Sequence, residues 1–92
     1  MEAINALRRK IDEIDIELQR LFIDRMETVR AIADVKLKND MTVYDRDRER
    51  QVMEANMARI EESPYADYYR RFLENVMQLS KDYQKSIVRD NL

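Results

Sequence analysis

The 92-residue sequence predicts an all-α protein, a three-helix protomer with a very long first helix. Apolar residues recur at steps of three and four, which is the spacing of one helical face. Glycine is absent and proline occurs once, which disfavours the hairpins, bulges and phosphate-binding loops that depend on glycine. With 45% hydrophobic and 39% charged residues, the chain is expected to fold as a single domain over residues 1–92.

The first helix is predicted over about residues 3–38, because neither glycine nor proline interrupts the pattern before Asn39. Its apolar stripe consists of Ile4, Leu7, Ile11, Ile14, Leu18 and Leu21. Such a helix is about 54 Å long, whereas a compact chain of this size is about 32 Å across. Because one chain cannot cover this stripe with its own residues, we expect an obligate helical dimer or a higher oligomer.

The other two helices are shorter, and each follows a boundary signal. Residues 39–44 are predicted to form a loop, in which Thr42 begins a capping box for a second helix over about 45–62. Ser63 is predicted to cap a third helix over about 64–88, with Pro64 at its first position. The second helix has a weak apolar face. The apolar face of the third helix is formed by Tyr65, Tyr68, Tyr69, Phe72, Val76, Met77, Tyr83 and Ile87.

Polar side chains interrupt these apolar faces at four positions. Arg25 and Lys36 share one face of the first helix, and Ser80 and Gln84 lie four residues apart on the third. One interpretation is structural, because long cations can reach solvent or pair with acids, and buried polar residues can fix the register of a helical bundle. The alternative is a binding pocket between helices, in which the same groups contact a small molecule.

Charged residues near two helix ends extend this pattern. Asp45, Arg48 and Glu49 share the first turn of the second helix, where acids commonly offset the helix dipole but a cation is less expected. Arg8 lies about 25 Å along the first helix from Arg25, too far for one small ligand within one chain. In an antiparallel pair of first helices, Arg8 of one chain would approach Arg25 of the other. Otherwise Arg8 is a surface arginine.

The composition excludes several classes of chemistry. Cysteine and histidine are both absent, which leaves no disulfide, no zinc site of the usual kind and no thiol or histidine catalysis. A net charge of −2 disfavours nucleic-acid binding, and no apolar run reaches the ~18 residues of a membrane span. Without an apolar leader, the chain is expected to be cytoplasmic. If the polar positions form a pocket, its three arginines and Lys36 suit a small dianion, and Asp45 and Glu49 are too few to hold a metal.

The polar positions also form a recognisable series along about residues 4–88. The series is Leu7-Arg8-x-Lys10-Ile11-Asp12-x-Ile14-Asp15, Leu21-Phe22-x-x-Arg25, Ile32-Ala33-x-Val35-Lys36, Val43-Tyr44-Asp45-x-x-Arg48-Glu49 and Ser80-x-x-x-Gln84. With these motifs in this order, the chain resembles the all-helical (AroQ-type) chorismate mutases. The resemblance implies a three-helix protomer that is intertwined with a second copy as a homodimer with two active sites. It also implies the Claisen rearrangement of chorismate to prephenate, a step in phenylalanine and tyrosine biosynthesis, without a cofactor.

The resemblance implies that several of these residues bind the two carboxylates of chorismate. Arg25 would bind one carboxylate with the help of Ser80. Arg8 would reach the other carboxylate from the partner chain. Arg48 would add positive charge and hold the site together.

It further implies which residues act on the reacting part of the substrate. Lys36 and Gln84 would bond the ether oxygen whose C–O bond breaks, and Glu49 would bind the ring hydroxyl with help from the backbone near Asp45. The residues expected to be catalytic are Lys36, Gln84, Arg25 and Glu49. The chemistry would rest on holding a reactive conformer and on placing cations near the developing negative charge.

Three alternatives remain open on the sequence. An isochorismate-pyruvate lyase of the same fold would use similar cations, although the intact Asp45-x-x-Arg48-Glu49 segment favours the mutase. An amino-chorismate mutase is a further variant. A non-catalytic dimeric helical interaction module would account for the composition and periodicity, but it would leave the polar interruptions of the apolar faces unexplained.

Overall fold

The computed structural model describes residues 1–92 and contains three helices and no strand: α1 over Glu2–Lys38, α2 over Arg46–Arg59 and α3 over Ala66–Asp90. The predicted all-α class with three helices is confirmed. Helix α3 packs against both α1 and α2, whereas α1 and α2 do not pack directly against each other. The third helix therefore packs between the other two and holds them in one structure.

The C-terminal end of α1 determines where the following loop runs. Asp40 has a φ of 55°, a left-handed conformation that aspartate tolerates better than most residues other than glycine. The Met41 amide then donates to the Lys36 carbonyl at 2.8 Å, and the Asp40 amide donates to the Leu37 carbonyl at 3.3 Å. These two bonds form a Schellman motif. The chain consequently leaves the helix sharply and turns back toward α3.

The start of α2 differs from the predicted capping box at Thr42. Asp45 is the N-cap, and its carboxylate accepts a hydrogen bond from the Arg48 amide at 3.0 Å. Residues 42–44 remain outside the helix because Val43 inserts into the core, where it is 5% exposed. Helix α2 also ends at Arg59, before the predicted 62. The chain there enters a turn, in which the Ser63 amide donates to the Ile60 carbonyl at 2.8 Å.

The predicted cap of α3 at Ser63 is also wrong. The Ser63 hydroxyl accepts from the Tyr65 amide at 3.1 Å, and the Ser63 carbonyl accepts from the Ala66 amide at 3.2 Å. Ser63 thus begins a separate turn with Pro64 at its second position, where the fixed φ of proline is favourable. The helix starts only after this turn, at Ala66, and continues to Asp90, two residues beyond the predicted end.

The core is small and lies toward the C-terminal ends of α1 and α3. Ala33, Val43 and Ile87 form a buried cluster, against which Leu37 and Tyr83 pack. Helix α3 buries one further group, consisting of Leu73, Val76, Met77 and Ser80. Only 7 of the 92 residues are buried, so the single chain leaves much of its apolar surface exposed.

The N-terminal part of α1 extends away from this core. Residues 1–24 are all exposed, and the members of the predicted apolar stripe are between 44% and 64% exposed. The chain measures 57 × 28 × 15 Å with a radius of gyration of 16.9 Å, against about 12 Å for a compact chain of this length. No helix combines the length and the apolar composition that a membrane span requires.

Candidate active site

A cavity of about 250 Å³ lies between the C-terminal half of α1, the loop and first turn of α2, and the middle of α3. Its volume is just below the ~300–1,000 Å³ typical of pockets for drug-sized ligands, which indicates a small ligand. Seven of the eight predicted site residues line it: Arg25, Lys36, Asp45, Arg48, Glu49, Ser80 and Gln84. The tertiary structure therefore brings together residues that are up to 59 positions apart in the sequence.

Arg25 and Ser80 form a hydrogen-bonded pair across the α1–α3 contact. The Arg25 guanidinium donates to the Ser80 hydroxyl, which itself donates to the Val76 carbonyl at 3.0 Å. Ser80 is 8% exposed and is the one buried polar residue of the chain. This pair fixes the direction of the guanidinium while leaving its remaining N–H groups for a ligand, and the planar fork of arginine suits a carboxylate.

Lys36 is held by the loop that follows its own helix. Its ammonium donates to the Val43 carbonyl at 3.1 Å, and the lysine is half-buried. The Schellman motif at Asp40 reverses the chain, and the burial of Val43 then anchors this carbonyl above the last turn of α1. One of the three N–H donors of Lys36 is thus used internally, and the other two remain free to contact a ligand in the cavity.

The first turn of α2 places three further groups on the cavity. The Asp45 side chain caps the helix through the Arg48 amide, and the Asp45 carbonyl accepts from the Glu49 amide at 3.1 Å. The cap uses one oxygen of the Asp45 carboxylate and starts α2 at this residue. Arg48 and Glu49 then follow in the first turn, where their side chains line the cavity.

The cavity carries a positive charge in a chain that is negative overall. Four of its lining residues are cations and two are acids, a balance of +2 against −2 for the whole chain. None of the five ion pairs of the chain includes a lining residue. The cations of the cavity are therefore not neutralised by protein carboxylates in direct contact, and such a concave positive site attracts anions.

Asp34, two residues before Lys36, is paired outside the cavity. Its carboxylate lies 3.3 Å from the Arg30 guanidinium on the surface of α1. Tyr83 and this carboxylate together raise the pKa of Arg30 above its ordinary value, mainly through a hydrogen bond with Tyr83. The negative charge of Asp34 is consequently held on another face of the helix from the Lys36 ammonium.

Arg8 is the predicted site residue that lies outside the cavity. It occupies the exposed N-terminal part of α1, about 25 Å along the helix from Arg25. Within one chain Arg8 cannot contact a ligand that Arg25 binds. Its predicted role requires a second chain and stays a prediction.

Two polar lining residues were not predicted from the sequence. Lys81 lines the cavity with its ammonium 4.8 Å from the centre of the Tyr44 ring. Its position was a usable signal, because it directly follows Ser80 and precedes Gln84 by about one turn. Thr28 also lines the cavity, one turn after Arg25, and its hydroxyl donates to the Asp24 carbonyl at 2.8 Å.

Comparison with known proteins identifies the relatives of this chain. T-protein from Haemophilus influenzae is 33% identical over 78 residues, which cover 79% of this chain and 21% of the relative. The bifunctional chorismate mutase/prephenate dehydratase from Aquifex aeolicus is 35% identical over 54 residues, covering 59% of this chain and 15% of the relative. The chain thus spans about a fifth or less of the length of these relatives. No solved structure matches it.

A family model gives the broadest match. The model described as chorismate mutase type II matches residues 7–85, a stretch that includes all eight predicted site residues and most of each helix. Because the match covers far more than half of the sequence, the chain belongs to the chorismate mutase type II family.

Proposed function

We propose that this chain is a chorismate mutase, which rearranges chorismate to prephenate on the route to phenylalanine and tyrosine. The observation that carries the proposal is the cationic cavity, in which Arg25 and Lys36 of α1 meet Ser80 and Gln84 of α3. Chorismate carries two carboxylates, a ring hydroxyl and an ether bridge, and the cavity offers groups suited to each. The name of the family supports the same activity.

In the proposed complex, Arg25 binds one carboxylate in an orientation set by its hydrogen bond to Ser80. Arg48, at the start of α2, adds positive charge to the same cavity. These contacts would hold the substrate in a folded conformer, with the two carbon atoms that form the new bond close together. Such positioning contributes much of the barrier lowering in a reaction that involves one molecule and no nucleophile.

The ether oxygen gains negative charge as its C–O bond breaks. We infer that Lys36 donates to this oxygen with one of the N–H groups not used by the Val43 carbonyl, and that the Gln84 amide donates from the opposite helix. Glu49 is proposed to accept a hydrogen bond from the ring hydroxyl. Donors aimed at developing charge in a site sheltered from water are among the strongest contributions to enzymatic rates.

The proposal includes a homodimer in which Arg8 reaches the second carboxylate from the partner chain. The single chain exposes 7689 Å², whereas a folded monomer of 11.2 kDa exposes about 5,700 Å². The excess is about 2,000 Å² per chain, or about 4,000 Å² for two chains, which is within the ~2,000–5,000 Å² that permanent dimers bury in total. The exposed stripe of α1 supplies apolar surface for such an interface, with Arg8 beside it.

The direct test is turnover of chorismate, followed by the loss of its ultraviolet absorbance. The products are then assayed for prephenate, as phenylpyruvate after acid treatment, and for pyruvate. We expect prephenate without pyruvate. Release of pyruvate from isochorismate, with chorismate untouched, would identify a lyase of the same fold. If neither substrate reacts, the proposal fails and a non-catalytic helical dimer becomes the better interpretation.

A further inference from the structure

Lys81 lies where two cavities meet. It is half-buried on α3 and lines both the candidate active site and an adjoining pocket of about 250 Å³ near the C-terminal end of that helix. Tyr44, Val43 and Gln84 also line both spaces. The Lys81 side chain thus belongs to the wall of the active-site cavity, within one turn of Gln84.

The charge of Lys81 has no strong partner within the protein. Its ammonium lies 4.8 Å from the centre of the Tyr44 ring. The Lys81 ammonium forms none of the ion pairs of the chain. It also donates no hydrogen bond to another protein group. A partly solvated cation–π contact of this kind is worth less than a charge-assisted hydrogen bond to a carboxylate. A dianion in the cavity would therefore be the preferred partner.

Lys81 and its contact Tyr44 are each adjacent in sequence to a residue of the candidate site. Lys81 directly follows Ser80, whose hydroxyl accepts from the Arg25 guanidinium, and Tyr44 directly precedes Asp45, the N-cap of α2. The lysine therefore lines the same cavity as Arg25 of α1 and the first turn of α2. Without Lys81, the charge balance of the cavity residues from one chain would fall from +2 to +1, a weak field for a dianion.

We propose that Lys81 is an additional substrate-binding residue, which donates from its ammonium to a carboxylate of the dianionic substrate and increases the affinity for it. The inference rests on the proposed function of the same cavity. Because the contact is to a carboxylate, which keeps its charge during the rearrangement, Lys81 stabilises the bound substrate and the transition state about equally. Loss of such uniform binding raises KM and leaves kcat nearly unchanged.

The test is steady-state chorismate kinetics with Lys81→Met. We expect KM to rise about tenfold, as for loss of a charge-assisted hydrogen bond, with kcat within about twofold of the unsubstituted protein. Lys81→Arg should recover most of the affinity, and Lys81→Glu should raise KM further. Lys85→Met is the matched control, because it removes the same charge from the next turn of α3, where the side chain is exposed and outside the active-site cavity.

The outcomes separate the inference from the proposed function. If the unsubstituted protein turns over chorismate but Lys81→Met has an unchanged KM, the role of Lys81 is overturned and the mutase remains. An equal rise of KM in Lys85→Met would show that the effect comes from the overall charge of the protein, and this result would also overturn the role of Lys81. If the unsubstituted protein has no turnover, the proposed function fails and the role of Lys81 falls with it. Circular dichroism of each variant checks that the helices are intact.

Discussion

At the scale of single residues, the candidate site consists of groups held by internal hydrogen bonds. Arg25 is oriented by Ser80, and Lys36 by the Val43 carbonyl at 3.1 Å. Each of these bonds uses one donor and leaves others for a ligand. A cation fixed in this way need not reorganise when charge develops on the substrate, and this property makes a preorganised site more effective than a flexible one.

Substitution of Lys36 tests the stabilisation of the ether oxygen. Lys36→Ala is expected to lower kcat by about 10²–10³, the usual cost of losing one donor aimed at developing charge. The matched control is Lys38→Ala, which removes an exposed lysine from the same last turn of α1. Near-normal turnover in Lys36→Ala, or an equal loss in Lys38→Ala, would refute this role of Lys36.

Gln84 offers a test based on pH. A glutamine does not titrate, but Gln84→Glu places an acid at the proposed position of the ether oxygen, and this acid can donate a hydrogen bond only when protonated. Activity of the variant should therefore be highest below the pKa of the new carboxyl and fall as the pH rises through it. Profiles of kcat/KM from about pH 4 to 8, above and around the ordinary glutamate pKa of ~4.3, should show this fall. Gln51→Glu, an exposed change on α2, should keep the profile of the unsubstituted protein.

At the scale of elements, the loop between α1 and α2 determines the geometry of the site. The Schellman motif at Asp40 turns the chain, Val43 anchors the loop in the core, and the Asp45 cap begins α2. Arg48 and Glu49 then follow within one turn. Helix α2 has no fully buried residue, so its placement depends strongly on this cap and on its contact with α3.

The cap can be removed without changing the other cavity side chains. Asp45→Ala should lower the free energy of unfolding by about 1 kcal/mol. It should also reduce kcat/KM, because the first turn of α2, which carries Arg48 and Glu49, is then held less firmly. Asp47→Ala is the matched control, since its exposed pair with Arg50 contributes little. Urea unfolding at one fixed protein concentration measures the stability. Equal stability of the two variants would contradict the role of Asp45 as the cap.

The sequence predicted the helices themselves better than it predicted the residues at which they begin and end. The spacing of apolar residues predicted three helices, and the polar interruptions predicted Arg25, Lys36, Ser80 and Gln84 as one group, because helical periodicity is a local property of the sequence. The caps at Thr42 and Ser63 were predicted wrongly. A boundary depends on long-range packing, such as the burial of Val43, which the local pattern does not contain.

At the scale of the whole molecule, one chain has too little core for its length. The radius of gyration of 16.9 Å and the exposed apolar stripe of α1 both follow from a helix that extends beyond its own partners. In the proposed dimer, a second copy buries this stripe and Arg8 of one chain reaches the cavity of the other. Stability and activity would then depend on the same interface.

Mixing two inactive variants tests whether Arg8 acts across the dimer. Arg8→Ala and Arg25→Ala should each be nearly inactive alone. After the chains exchange, a mixed dimer holds one site with both arginines intact, so equal mixing should restore about a quarter of the sites. Mixing of Arg8→Ala with Lys36→Ala should restore activity in the same way. Mixtures no more active than their components would show that Arg8 does not act from the partner chain.

The sequence by itself determined the three helices, the polar residues that line the positive cavity on α1 and α3, and the family of this protein, because helical spacing and residue chemistry are encoded locally. Only the tertiary structure decided the course of the loop through Asp40 and Val43, the cap at Asp45 and the presence of Lys81 beside Tyr44 in the cavity wall. The long-range contacts among these features are those of Val43 with Ala33 and Ile87 and of Lys81 with Tyr44. Contacts between residues distant in sequence are set by packing rather than by periodicity, and the burial of Val43 in turn selects the local turn and cap on either side of it.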